Sequence, residues 1–499
     1  MSAANTFLAD LIPVTAELWL LIAASGILIW DAIKPNGDRS QWLAQIALFI
    51  ALGINMGYLM AGNTLYAWNG LIVSDPLANL LKAGCTLATM MTLHYSRHYV
   101  ADRGMHTGEF YVLAITALAG QMLMVSSSHM LMLYLGLELM SLSLYALVAL
   151  RRDHANSTEA AMKYFVLGAM ASGFLLYGIS MLYGATGSLD MATIFKALES
   201  GGAAVNRPTA ILASVFIVAG LAFKFGAVPF HMWVPDVYDG SPTAVTLLIA
   251  SAPKLAALGM ALRIMVEAML PLAADWQPMF LFLGVASVAL GNVVAVMQTS
   301  FKRMLAYSTI SHIGFVVLAL GVGVVGINNR AGAVDAYGAA VFYMLTYVLT
   351  TLVSFGVILL LARAGFECDN VADLKGLAKR SPSLAIVFLL VMFSLAGVPP
   401  LVGFWAKLEV IVALMAASHT AIAVVVVLFS LVGAFYYLRV LKTVFFDAPS
   451  QDSLDTYTAR PITAPMLLLI NSAAILVLGV FPGWLLALSI GSVKAALAS

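Results

Sequence analysis

Fourteen mostly apolar stretches follow one another along this chain. They lie near 11–33, 42–61, 70–93, 109–126, 129–150, 160–184, 209–229, 241–269, 277–297, 301–322, 338–362, 382–415, 420–445 and 462–491. A helix needs about 20 such residues to cross the hydrocarbon of a bilayer. The runs are continuous rather than alternating, which excludes the strands of a membrane barrel. Inside lipid every backbone N–H and C=O must be paired within its own segment, so these runs have to be helices. The expected fold class is therefore an all-α integral membrane protein with about 14 transmembrane helices. Composition narrows the function. With 62% hydrophobic and 10% charged residues, against about 25% charged in soluble proteins, the chain is no soluble enzyme and no disordered segment. A net charge of +1 argues against nucleic acid as a partner. Two distant cysteines, Cys85 and Cys368, argue against a disulfide framework, a cysteine zinc site or an iron–sulfur site. The first ten residues carry no Lys or Arg, so the start does not read as a cleaved signal peptide.

The breaks between runs carry loop chemistry, as in Lys34-Pro35-Asn36-Gly37-Asp38, Asp236 to Pro242, and Ala448-Pro449-Ser450-Gln451-Asp452. Basic residues fall on one side of them. Loops after odd-numbered spans hold fifteen: Lys34, Arg39, Arg97, Arg103, Arg151, Arg152, Lys302, Arg303, Arg363, Lys375, Lys379, Arg380, Arg439, Lys442 and Arg460. The other side holds Lys196, Arg207, Arg330 and Lys494, with Arg263 near that end of its helix. By the positive-inside rule the odd loops face the cytoplasm.

Five of the 25 basic residues remain unexplained by topology: Lys82, Lys163, Lys224, Lys254 and Lys407, all inside expected helices. One acid, Glu138, sits near the middle of the fifth span. A charge at mid-membrane costs at least about 2.5–3.5 kcal/mol. Burial brings such groups toward exchanging protons near neutral pH, which suits a proton relay. Lys82, about 10 Å past the helix start at Asp75-Pro76, and Lys163, near the cytoplasmic end of the sixth span, could equally snorkel to the surface. Lys224 and Lys254 lie too deep for that. Lys407 is followed by Glu409, but residues two apart do not face each other on a helix.

Two spans carry prolines at membrane depth: Gly226-Ala227-Val228-Pro229-Phe230 in the seventh, and Gly397-Val398-Pro399-Pro400-Leu401 in the twelfth. Proline opens a helix, and the freed groups are tolerated only inside protein or beside water. Paired interrupted helices in matching positions point to inverted repeats around a transport site. The expected organisation is helices 1–3 in residues 1–108, a first repeat of helices 4–8 in 109–270, a second, inverted repeat of helices 9–13 in 277–446, and a last helix in 462–499. Lys224 precedes its Val-Pro while Lys407 follows. His231 is a candidate proton carrier between Lys224 and Lys254, or a loop residue. His312 in the tenth span could link the two halves, or bond a neighbouring helix. No metal-ligand spacing, phosphate loop or nucleophile elbow occurs.

The run from Ala227 to Thr243, AVPFHMWVPDVYDGSPT, followed by Ala252-Pro253-Lys254, resembles a signature of the antiporter-like membrane subunits of respiratory NADH:quinone oxidoreductase, or complex I. The blocks Lys302–His312 and Gly397–Lys407 match it further. The resemblance covers about 70–445, and the N form, counterpart of mitochondrial chain 2, is nearest. It implies proton translocation in the membrane arm of a bacterial inner-membrane complex. It assigns that role to Glu138, Lys163, Lys224, Lys254 and Lys407. It also implies no cofactor in the chain itself, with flavin, iron–sulfur clusters and quinone handled by partner subunits. The implied partners are sibling antiporter-like subunits, small membrane subunits and the lipid bilayer. The expected mechanism pairs Glu138 with Lys224, lets Lys163 tune the pair, and passes protons by Lys254 to Lys407. The alternatives are a subunit of a multi-subunit sodium/proton antiporter or of a membrane-bound hydrogenase, a stand-alone solute transporter, and a scaffold.

Overall fold

A computed structural model of the chain describes residues 10–201, 205–323, 330–448 and 463–498. Pro449 to Asp452 and Arg460, read above as loop and loop charge, lie outside these residues, as does the Arg330 side chain. Among the described residues the fold is all helical apart from one small antiparallel sheet, Leu65–Ala67 against Ile72–Ser74. Helix starts follow local chemistry: the side chains of Asn36, Asp75, Asn206 and Ser300 each accept from a backbone N–H in the first turn. This satisfies donors that the helix itself cannot.

Eleven of the described helices are long and apolar enough to cross a membrane, and the pair Pro465–Val480 and Gly483–Ala498, bent by 82°, makes a twelfth. That is fewer than fourteen, for two physical reasons. The third expected span is a continuous 27-residue helix, Pro76–Asp102, whose hydropathy is diluted by Lys82, His94, Arg97, His98 and Asp102. The twelfth is divided into Pro382–Ala396 and Val402–Ala416, each too short to count alone. The seventh is divided too, into Arg207–Phe225 and a short helix Trp233–Gly240.

The eighth span holds an interruption that the sequence reading missed. Helix Thr243–Ala250 stops at Ser251 (φ −110°, ψ −97°), resumes as Ala252–Ala261 and widens into a π-helical stretch, Leu262–Ala268. The available signal was Pro253, which cannot continue the preceding helical hydrogen bonding. This span and the tenth and eleventh form the centre of the bundle: 100%, 94% and 83% of their spanning windows are buried, against 28% for Gly37–Ala61 and for Thr420–Phe445.

Close helix crossings use glycine. A Cβ at Gly120 would lie 2.6 Å from the Gly136 carbonyl oxygen, and one at Gly284 3.0 Å from that of Gly314. Spans 4 and 5, and likewise 9 and 10, therefore pack backbone to backbone, the small-residue route to dispersion contact where lipid offers no hydrophobic drive.

Candidate proton-transfer site

Helix Arg207–Phe225 ends at Gly226, whose φ of +76° favours a residue without Cβ. The amides of Gly226 and Ala227 fold back onto Phe223 and Ala222, and Trp233 Nε1 also donates to the Phe223 carbonyl. The last two carbonyls, of Lys224 and Phe225, are left for another donor. The Lys254 ammonium takes them, at 3.4 and 2.8 Å, with its Nζ 5.1 Å from the Trp233 ring centroid.

The second break repeats this chemistry. Helix Pro382–Ala396 ends at Gly397 (φ +86°). The Lys407 ammonium takes the last two carbonyls, of Leu395 and Ala396, at 3.0 and 2.9 Å, and adds Ser430 Oγ at 3.0 Å. Each cation thus sits on the negative end of a half-helix, where aligned peptide dipoles stabilise it. Lys254, reaching in from the next span, is the bonding counterpart of Lys407. This resolves the unequal offsets of Lys224 and Lys407 in sequence.

Lys224, half-buried, donates to Ser141 Oγ at 3.0 Å and Ser172 Oγ at 3.4 Å. Glu138 makes no salt bridge or hydrogen bond to Lys224, and its charge acts on the ammonium from beyond contact distance. Ser141, one turn along the same helix from Glu138, is the group on that helix that Lys224 touches. Glu138 Oε1 is buried without a hydrogen-bond partner. It lies on the helix face that carries Leu131, Leu135 and Leu142, which are 47%, 54% and 54% exposed, so the carboxylate sits at the rim of the bundle. Lys163 does not reach that pair either. Its half-exposed ammonium bridges Glu159 and Asp236, both at 2.8 Å. Asp236 also takes Arg303 at 3.0 Å, while Ser300 holds Asp239 at 2.7 Å and Lys302 holds the Ser241 carbonyl at 2.9 Å. The short helix after the first break is thereby clamped between the two halves of the chain.

His312 is buried between Tyr343 (Nδ1 to OH, 2.7 Å) and Tyr437 (Nε2 to OH, 3.1 Å). It lines a small cavity with Thr346, Thr350, Ser394 and Leu395. Because the Leu395 carbonyl also holds Lys407, this polar pocket joins the histidine to the second ammonium site. His231 makes no hydrogen bond to Lys224 or Lys254, and its Nδ1 is buried without a partner. Lys82 does not snorkel: it forms a buried ion pair with Glu17 at 2.5 Å. The reading of the residues missed Glu17, because the two are far apart in sequence and only tertiary packing brings them together. Among the described residues no group of three or more His, Cys, Asp or Glu could hold a metal ion.

Broken helices with cations on their free carbonyls, inside a bundle of spanning helices, define an ion-handling membrane protein of the antiporter-like class. The family described as NADH:quinone oxidoreductase/Mrp antiporter, transmembrane, matches residues 127–433. The NADH-quinone oxidoreductase subunit N of Herminiimonas arsenicoxydans is 53% identical over 98% of this chain and 99% of its own length, and that of Cupriavidus taiwanensis 51% over the same shares. The chain belongs to this family, and within it stands with the N subunits. A chain of respiratory complex I from Thermus thermophilus superposes with a TM-score of 0.79 at 32% identity, covering 94% of this chain and 98% of that one. A chain of the Mrp complex from Dietzia shares the fold, with a TM-score of 0.82 at 21% identity over 98% of this chain and 97% of that one.

Proposed function

We propose that Lys224, Lys254 and Lys407 carry protons through the membrane arm of an NADH:quinone oxidoreductase, in which this chain is the N-type subunit. The observation that carries this reading is the doubled arrangement of an ammonium, Lys254 or Lys407, on the last carbonyls of a broken helix. A cation there is stabilised by a dipole end equivalent to roughly half a charge. Removing its proton takes that compensation away from the helix terminus. Proton occupancy and the geometry of each break are therefore coupled. The shared residue at the first break, where the Lys224 carbonyl accepts from Lys254, supports transfer from Lys224 to Lys254. The hydroxyl-lined pocket supports passage by His312 to Lys407, through water that bridges hydroxyls. His231 serves the loop after the first break rather than this line.

Glu138, at mid-span on the rim, has to be covered by protein, because a carboxylate facing lipid is too costly. The neighbouring membrane subunit is the covering surface, and its charges reach Lys224 by way of Glu138 and the two serines. The matching glycine crossings and breaks support two inverted repeats, in 109–270 and 277–446. Redox groups belong to partner subunits. Moving one charge against 100 mV costs about 2.3 kcal/mol, so quinone reduction elsewhere in the complex supplies the work.

The test uses assembled complex in membrane vesicles carrying Glu138→Gln, Lys224→Ala or Lys407→Ala. Each variant should assemble and lose most NADH-driven acidification. Normal acidification in fully assembled variants would sink the assignment.

A further inference from the structure

A second set of buried charges lies at the opposite end of the bundle from the Lys163–Asp236–Arg303 clamp. Lys82 pairs with Glu17 at 2.5 Å, with both side chains 3% exposed or less. Ser126 Oγ reaches the same Glu17 oxygen at 3.4 Å. The neighbouring Val125 carbonyl takes Arg263 Nε at 3.0 Å. Arg263 then binds Asp75 at 2.8 Å and also Glu267. Asp75 and Arg263 are buried, while the Glu267 side chain is 22% exposed. The polar contacts thus run from Lys82, two turns inside its helix, to a carboxylate at the edge.

The charge count of this cluster is odd. Three carboxyls face two bases, so the fully ionised cluster would hold one uncompensated negative charge among side chains of which only Glu267 reaches solvent, which is costly. One oxygen, Glu17 Oε2, is buried with no hydrogen-bond partner, an open position for a proton or a water. The other charged groups on packed elements, Lys196 and Glu199 on helix Met191–Ser200 and Lys494 on helix Gly483–Ala498, are exposed, and Asp10 accepts from the Trp68 amide. Asp190 is occupied in capping helix Met191–Ser200. None of them balances the cluster.

The cluster also stands beside the lysine line. The third and eighth spans run antiparallel in contact. The Cys85 thiol donates to the Ala252 carbonyl at 3.4 Å, Gly84 faces Leu255, and Leu81 faces Gly259. Asp75 meets Arg263 further along. Lys82 therefore lies at the level between Lys254 and Arg263.

We propose that these five residues form a proton-holding site and a side outlet, parallel to the line from Lys254 to Lys407, through which part of the protons leaving Lys254 reach the outer surface. The proposal rests on the proton-translocating reading above. The step moves one proton and no electrons. The Lys254 ammonium gives its proton to a water, a cluster carboxylate takes it to become a carboxylic acid, and Glu267 later returns it to bulk water. With the proton the cluster is neutral; without it, negative.

The test is infrared difference spectroscopy of the assembled complex in liposomes, titrated in pH, together with protons released per NADH oxidised. Wild type should show a protonated-carboxyl band that is lost in Glu17→Gln and in Glu267→Gln, and both variants should release fewer protons per NADH. If Glu17→Gln fails to assemble, Glu267→Gln and the charge-neutral double variant Lys82→Met/Glu17→Gln decide. Spectra identical to wild type would overturn the proton-holding site, and loss of the band with unchanged proton release would overturn the outlet. Glu138→Gln and Lys407→Ala run in parallel: normal release there overturns the functional reading, while the infrared band still reports on the cluster.

Discussion

At the scale of single residues, both ammonium sites depend on a glycine next to the lysine. A Cβ on Gly397 would lie 2.9 Å from Lys407 Cδ, and one on Gly226 2.5 Å from Val234 Cγ2. Left-handed backbone costs a residue with a Cβ about 1–2 kcal/mol. Gly226→Ala adds the clash with Val234 to that strain, so it should lower the thermal stability of the complex by more than about 1–2 kcal/mol, read as a shift in its unfolding midpoint. Gly397→Ala presses on the lysine itself, so proton pumping should fall by a larger factor than the amount of assembled complex. Equal losses in the two would contradict this. Ser141→Ala removes one of two hydroxyls from Lys224. Losing a hydrogen bond to a charged group costs about 1.5–3 kcal/mol, so its pumping should fall between wild type and Lys224→Ala when measured in the same vesicles.

At the scale of elements, the legible part of the sequence was whatever follows from neighbours along one helix. Apolar runs marked the spans, and Val-Pro marked two breaks. Scarce cations marked Lys224, Lys254 and Lys407, which the fold sets against serines or free carbonyls, Lys254 buried and the other two half-buried. Partners across helices were not legible, since spacing carries no information about them. That is why Glu17 was missed beside Lys82, and why Lys163, expected to tune the Glu138–Lys224 pair, instead bridges Glu159 and Asp236. The loop after the eleventh span shows the same rule. Glu367 receives Arg103 and Tyr99, both at 2.8 Å, and Arg151 at 3.4 Å, joining the inner ends of three helical segments. Burial alone would raise its carboxyl, but the hydrogen bonds from Arg103 and Tyr99 and the charges of Arg103 and Lys302 hold it below the usual carboxylate range. A carboxyl lowered on folding contributes stability that is present above its unfolded value, near 4.3, and is lost as pH falls through the folded value. The midpoint of thermal unfolding should therefore drop on acidification through that range. Glu367→Gln should lower it at neutral pH and flatten the acid dependence; an unaltered acid dependence would show that Glu367 is not the group responsible.

At the scale of the whole molecule, the remaining question is which ion moves. The fold is shared with a chain of an Mrp complex, so architecture alone does not choose between protons and sodium. The chemistry of the deep groups does. The positions at mid-bundle on the broken helices are filled by ammonium groups, which already occupy the carbonyl oxygens that a sodium ion would need. A sodium ion requires several oxygen ligands at once and would have to displace an ammonium from the carbonyls at either break, whereas a proton needs only a lysine able to lose and regain one. NADH-driven acidification and membrane potential should therefore be the same in sodium-free potassium medium as in sodium medium, measured with pH-sensitive and potential-sensitive dyes in vesicles of the assembled complex. Lys407→Ala should lower acidification by the same large factor in both media. A potential that collapses without sodium and returns on its addition would show that the carbonyl cradles at the two breaks serve a metal cation.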